Sequence, residues 1–125
     1  MRVRALDHIV LCVADVAATC RFYEHVLGLV PREERPGKWS LHVGDQKISL
    51  QDAGTAPAIA LDTVPGSGNL CLLTDTPITE VVAHLAREGV AIVEGPGERA
   101  GATGPILSVY LRDPDGNLVE VSNQL

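Results

Sequence analysis

Two side chains with metal-binding chemistry stand on apolar, strand-like segments near opposite ends of this 125-residue chain. His8 follows Asp7 in "ALDHIVLCVA", and Glu120 lies between Val119 and Val121 in "DPDGNLVEVS". Neutral imidazole and carboxylate both ligate divalent ions. An apolar strand face is a costly place to leave either group without a partner. A lone histidine there is more often a hydrogen-bonded core residue than a ligand, so the elements that carry these residues have to decide.

The first segment suits a strand, with alternation placing Leu6, His8, Val10 and Cys12 on one face. Asp15 is placed to cap a helix whose Val16, Cys20, Tyr23 and Leu27 recur at helical spacing up to Gly28. "LVPREERP", "KWSLHV" and "QKISLQD" read as three strands, the last two joined by a "GD" turn. Residues Ala53 to Gly68 read as a long connection. The pattern then recurs. "NLCLLT" is a strand; Thr76 is the expected N-cap, Pro77 the first helical residue, and Gly89 the stop after a stripe of Ile78, Val81, Val82 and Leu85. "VAIVEG" reads as a strand, "ERAGATGP" as a glycine-rich loop able to act as a lid, and "ILSVYLR", "DPDG" and "NLVEVS" as a hairpin.

An offset of 61 residues carries Asp15 onto Thr76, Gly28 onto Gly89, and His8 onto Asn69. Matching helix boundaries at one offset point to an internal duplication. The expectation is one domain over 1–125 built from two repeats, about 1–53 and 67–125. In the last hairpin, "PDG" suits a type I turn followed by a left-handed glycine. That turn sets Tyr110 opposite Glu120 and Arg112 opposite Leu118, so Tyr110 and Glu120 project from one face.

Bulk properties remove several classes of function. The net charge of −6, with no basic stripe, argues against nucleic-acid binding. No apolar run approaches the roughly 20 residues of a membrane span, and Asp7 and His8 break up an N-terminal signal. Cys12, Cys20 and Cys71 are odd in number and lack metal-site spacing, which suits buried free thiols in a reducing cytoplasm. With one Trp, one Phe and two Tyr, the core must be aliphatic.

"LDHIVLCVADVAATCRFYEHVLGL" at one end and "GPILSVYLRDPDGNLVEVS" at the other, with two β-α-β-β-β units between, resemble the vicinal oxygen chelate superfamily. This superfamily includes glyoxalase I, extradiol dioxygenases and bleomycin-resistance proteins. The resemblance implies an α+β fold in which two such modules form an incomplete eight-stranded barrel around a cavity, in a protein that forms homodimers. It implies four metal-facing positions, carried here by His8, Gln51, Asn69 and Glu120. His8, Gln51 and Glu120 are the expected ligands of a divalent metal (Zn, Ni, Co, Mn or Fe). Asn69 is a poor ligand and is expected to bind substrate instead.

Tyr110 resembles the tyrosine that dioxygenases keep ten residues before their ligand glutamate. It is expected to bind substrate or serve with Glu120 in catalysis. Arg112 is expected to bind an anionic group and Trp39 to close the cavity mouth. His42 has the chemistry of a ligand, but its neighbour Leu41 stands ten residues before Gln51, as Tyr110 does before Glu120, so alternation is expected to turn His42 to the opposite face. The implied function is a cytoplasmic glyoxalase-type lyase or isomerase, or a ring-cleaving dioxygenase-like enzyme, acting on a small substrate with vicinal oxygens. A single imidazole beside an amide and a carboxylate favours the former, since oxygen-activating iron prefers two. The alternative is a metal-free protein that sequesters a ligand, as bleomycin-resistance proteins do.

Overall fold

A computed structural model describes residues 1–55 and 60–125. The chain divides into two compact units, Met1–Ser67 and Gly68–Leu125. The first holds β1 (His8–Val13), α1 (Val16–Leu27), β2 (Val30–Arg35), β3 (Lys38–Val43) and β4 (Gln46–Asp52). The second holds β5 (Asn69–Leu73), α2 (Ile78–Arg87), β6 (Glu94–Gly101), β7 (Gly104–Arg112) and β8 (Leu118–Gln124). Each unit is therefore β-α-β-β-β, and the α+β class expected from the sequence is observed. The sheet orders are β1-β4-β3-β2 and β5-β8-β7-β6. The first strand of each pairs in parallel with the last, and the remaining pairs are antiparallel. Neither sheet closes on itself.

In the first unit, Asp15 caps α1 by accepting a 2.9 Å hydrogen bond from the Ala18 amide. Gly28 ends the helix at φ 70°, and the Leu29 amide reaches back to the Tyr23 carbonyl. One sheet face carries Leu11, Val13, Leu41, Ile48 and Leu50, all buried with Tyr23 and Val26 of the helix. Burying each such side chain contributes about 1.5–3 kcal/mol before entropy is counted. The opposite face is polar.

The second unit repeats this plan, with Val109, Leu111, Val119 and Val121 buried with Ile78, Val81 and Leu85 of α2. Three readings differ from expectation. Of "VAIVEG", read as a strand, only Glu94 and Gly95 lie in β6. The N-cap of α2 is Pro77, not Thr76, and it offers no side-chain bond. Instead the Pro77 carbonyl takes the Glu80 and Val81 amides, while Thr76 gives its own amide to the Thr74 hydroxyl. "ERAGATGP" is not a loop. Glu98, Arg99, Ala100 and Gly101 pair with Leu107, Ile106, Pro105 and Gly104, leaving only Ala102 and Thr103 as the turn. Glycine and proline lower strand propensity but are tolerated on an edge strand, which β6 is. A lid in this segment is thereby excluded. Part of the expected long connection, residues 56–59, lies outside the described residues.

Candidate functional site

In the second unit, the face turned away from α2 presents a row across all four strands. Glu94 pairs with Tyr110, Tyr110 with Glu120, and Glu120 with Cys71. The expected opposition of Tyr110 and Glu120 is observed. Its turn is built as the sequence implied, with the Asp113 amide bonded to the Asn117 carbonyl and Gly116 at φ 85°. Asn69 opens β5 on the same face, and the Gly68 amide before it is held by Asn117 Oδ1 at 2.6 Å.

Glu120 is the centre of this row. Its Oε1 is buried and has no hydrogen-bond partner. Burial, then hydrogen bonding and repulsion from the Glu120 carboxylate, push the Tyr110 phenol above its usual range, while Arg99 pulls it back. The Cys71 thiol is likewise raised, first by partial desolvation of its sulfur and then by the Glu120 carboxylate, while Ser122 lowers it. Its Sγ lies 3.4 Å from Ser122 Oγ, which in turn lies 2.7 Å from Ser108 Oγ. Cys12, Cys20 and Cys71 are free thiols, as expected, but none is fully buried: Cys12 and Cys20 are half-buried, and Cys71 is exposed as a residue because β5 is an edge strand.

Arg112 lies at the end of the row's face, where its Nη1 donates to the Gly116 carbonyl at 3.1 Å. Arg99, on a segment expected to be a loop, stands over Tyr110, its guanidinium carbon 5.5 Å from the ring centroid. The sequence signal for it is the alternation of Gly95, Gly97, Arg99 and Gly101, which has the period of a strand.

In the first unit, the polar face carries a different row. His8 pairs with Lys47, and Lys47 with His42. His42 therefore shares a face with His8 and Gln51, contrary to expectation. The cause is turn length. Gly44 and Asp45 alone join β3 to β4, so Ser40 pairs with Ser49, nine residues apart, where Tyr110 and Glu120 are ten apart. One residue of difference exchanges the faces of a strand. Leu41 and Trp39 consequently turn to the helix-covered face, away from His8.

The same register identifies Ser49 as the first unit's counterpart of Glu120. Val10 pairs with Ser49 as Cys71 pairs with Glu120, whereas Gln51 matches Ser122. Gln51 lies four residues along β4 from the partner of His8, about 13 Å of strand.

His8 Nδ1 is held by Asp7 Oδ1 at 2.7 Å, which fixes one ring nitrogen and leaves Nε2 as the one with ligand capacity. Beside it, Glu34 enters from the irregular stretch of β2 between Glu33 and Arg35. It receives Lys47 Nζ at 2.6 Å and Ser40 Oγ at 2.8 Å. These hydrogen bonds, Lys47 first, hold the Glu34 carboxyl down at about 2. His42 Nε2 lies 3.1 Å from Ser40 Oγ and 3.6 Å from Glu34.

Among the described residues, no group of three or more His, Cys, Asp or Glu side chains is placed to hold a metal. Taken unit by unit, the groups with metal-binding chemistry are an imidazole oriented by a carboxylate, His8, in the first, and a buried carboxylate oxygen without a partner, on Glu120, in the second. Among the described residues, no helix is long and apolar enough to cross a membrane.

Comparison with known proteins agrees with this architecture. The chain is 48% identical over 124 residues to Virulence protein STM3117 of Salmonella typhimurium, covering 98% of this chain and 85% of that protein. The crystal structure of that virulence protein superposes with a TM-score of 0.94 at 46% identity, covering all of both chains. It is also 42% identical over 124 residues to the glyoxalase domain-containing protein RDO1 of Mycosarcoma maydis, covering 98% of this chain and 70% of that protein. Lactoylglutathione lyase from Agrobacterium tumefaciens superposes with a TM-score of 0.72 at 26% identity, covering 95% of this chain and 92% of that one. Residues 5–121 match the model of the Glyoxalase/Bleomycin resistance protein/Dioxygenase superfamily, and the chain belongs to that superfamily.

Proposed function

We propose that this protein is a small glyoxalase-type enzyme that acts on a substrate with two adjacent oxygens, with Glu120 and His8 as donors to a divalent metal. The observation that carries the proposal is the buried Glu120 Oε1 without a partner. A carboxylate oxygen in that state is destabilising unless a guest completes it. His8 supports the same reading, since Asp7 fixes its Nδ1 and leaves Nε2 for ligation. Likeness to a lactoylglutathione lyase supports an isomerase or lyase over an oxygenase.

A bound divalent ion would polarise the substrate oxygens and stabilise the negative charge that develops on them. This chain's residues supply the remainder. Tyr110, held protonated by burial and by Glu120, donates to a substrate oxygen. Glu120 accepts or returns a proton at the neighbouring carbon. Asn69, on the same face, offers an amide for a further substrate contact. Three free thiols support a reducing cytoplasmic setting, and a homodimer belongs to the same proposal.

The test is elemental analysis of protein purified without chelator, beside the His8→Ala and Glu120→Ala variants. Stoichiometric metal in the parent, lost from both variants, is the expected result. A parent that takes up none of Zn, Ni, Co or Mn on reconstitution would falsify the metalloenzyme reading and leave ligand sequestration in its place.

A further inference from the structure

Arg99 is a cation of the Glu120 face, on the edge strand β6 between Gly97 and Gly101. The guanidinium stacks over Tyr110, Nη2 donates to Glu94 Oε1 at 2.7 Å, and Nη1 donates to the Glu98 carbonyl at 2.8 Å. A Cβ on Gly97 would stand 3.0 Å from Arg99 Nη1. One on Gly101 would stand 2.6 Å from the Gly104 carbonyl and 2.7 Å from Ile106 Cγ2. Gly97 thus makes room for the guanidinium, and Gly101 packs its backbone directly on the Gly104 carbonyl and Ile106. Beside them lies an open depression of about 470 Å³ lined by Glu98, Arg99, Ala100, Gly101, Gly104 and Pro105.

These contacts immobilise the guanidinium before any ligand arrives, which lowers the cost of binding to it. They also leave part of its five-donor fork unused, and that fork matches a carboxylate. Glu94 and Glu120 on this face repel anions, Glu98 stands on the opposite face, and Arg112 lies at the far end by the hairpin turn. Arg99 is thus the point at which a negative group can be accepted, and its position over Tyr110 puts that group beside the Glu120 row. Arg112 is less suited, because it stands at the hairpin turn, beside Gly116, and does not line the depression.

We propose that Arg99 and the glycine-lined depression beside it form a subsite for a carboxylate group on the substrate. This rests on the reading that the Glu120 face is the ligand site, and it narrows the substrate to a small acid.

The test uses butyrate, which has a carboxylate but no second oxygen with which to chelate a metal, and butyramide as its neutral counterpart. Each is titrated into ¹⁵N-labelled protein and followed by amide shifts. Butyrate is expected to shift Gly97, Gly101, Gly104 and the Arg99 Nε–H saturably, and butyramide to leave them in place. Arg99→Gln should weaken the butyrate response about tenfold, and Arg99→Lys should retain part of it. Glu120→Gln, which removes the proposed metal donor, should keep the response, so failure of the metal reading and failure of the subsite are told apart. The dispersion of each variant's spectrum reports its folding. Equal shifts from the two probes, or an undiminished butyrate response in folded Arg99→Gln, would overturn the proposal.

Discussion

Tyr110 and Glu120 stand directly opposite each other on β7 and β8, and the carboxylate oxygen left over from that pairing is buried with no partner. An arrangement of this kind trades stability for readiness to bind. Removing the charge should therefore stabilise the protein. In chelator, Glu120→Gln is expected to raise the unfolding temperature by about 3–5 °C, corresponding to about 1 kcal/mol. Calorimetry of parent and variant decides. A lower temperature in the variant would mean that Tyr110 and Cys71 already satisfy the carboxylate.

Asp7 orients His8 from outside the proposed metal site. Asp7→Asn keeps the size of the side chain but weakens the hydrogen bond to Nδ1. Metal affinity, measured by competition with a chromophoric chelator, should fall about 10–100-fold. An unchanged affinity would remove His8 from the ligand set or Asp7 from its support.

Glu34 gives a pH-dependent contribution whose sign follows from its depressed value. The folded-state value is about 2 against an ordinary 4.5. The unfolded chain therefore binds the proton first as pH falls. The contribution is complete above pH 4.5, declines as pH drops toward 2, and is absent below that. Urea denaturation at several pH values across this window should show a steeper loss of stability in the parent than in Glu34→Gln. Parallel curves would show that Lys47 and Ser40 do not stabilise the ionised form.

Asn117 ties the last hairpin to the start of β5. Its side chain is 1% exposed, accepts from the Gly68 amide at 2.6 Å and donates to Asp113 Oδ2 at 2.8 Å. Asn117→Ala leaves both partners wanting in a buried place, and a loss of about 2–3 kcal/mol in urea denaturation is expected. A loss below about 0.5 kcal/mol would show that water replaces the amide.

Local chemistry made most of the fold legible. Asp15 and Gly28 announce α1 because a cap acceptor and a left-handed glycine are demands of the backbone itself. Tyr110 and Glu120 could be paired in advance because "PDG" dictates its own turn. The errors arose where pairing overrides composition. Residues 98–104 look like a loop by glycine content, yet an edge strand accepts glycine when its partner supplies the ladder. His42 was turned the wrong way because the first hairpin was given the spacing of the second. Arg99 was hidden by the same misreading of β6, since a cation assigned to a loop has no defined neighbour. Trp39 shares the error, since it stands three residues before His42 on the same strand and so on the opposite face.

The unequal turns of the two β-hairpins also set a rule for redesign. A gapless superposition of one half of the sequence on the other exchanges inward for outward positions between the penultimate strand and the last. Grafting the second half's acidic chemistry onto the first by simple alignment would therefore misplace it. A new carboxylate intended to mirror Glu120 belongs at Ser49, and an aromatic hydroxyl intended to mirror Tyr110 belongs at Ser40. Both are buried serines, so the first half holds those two places with the smallest side chains that still carry a hydroxyl.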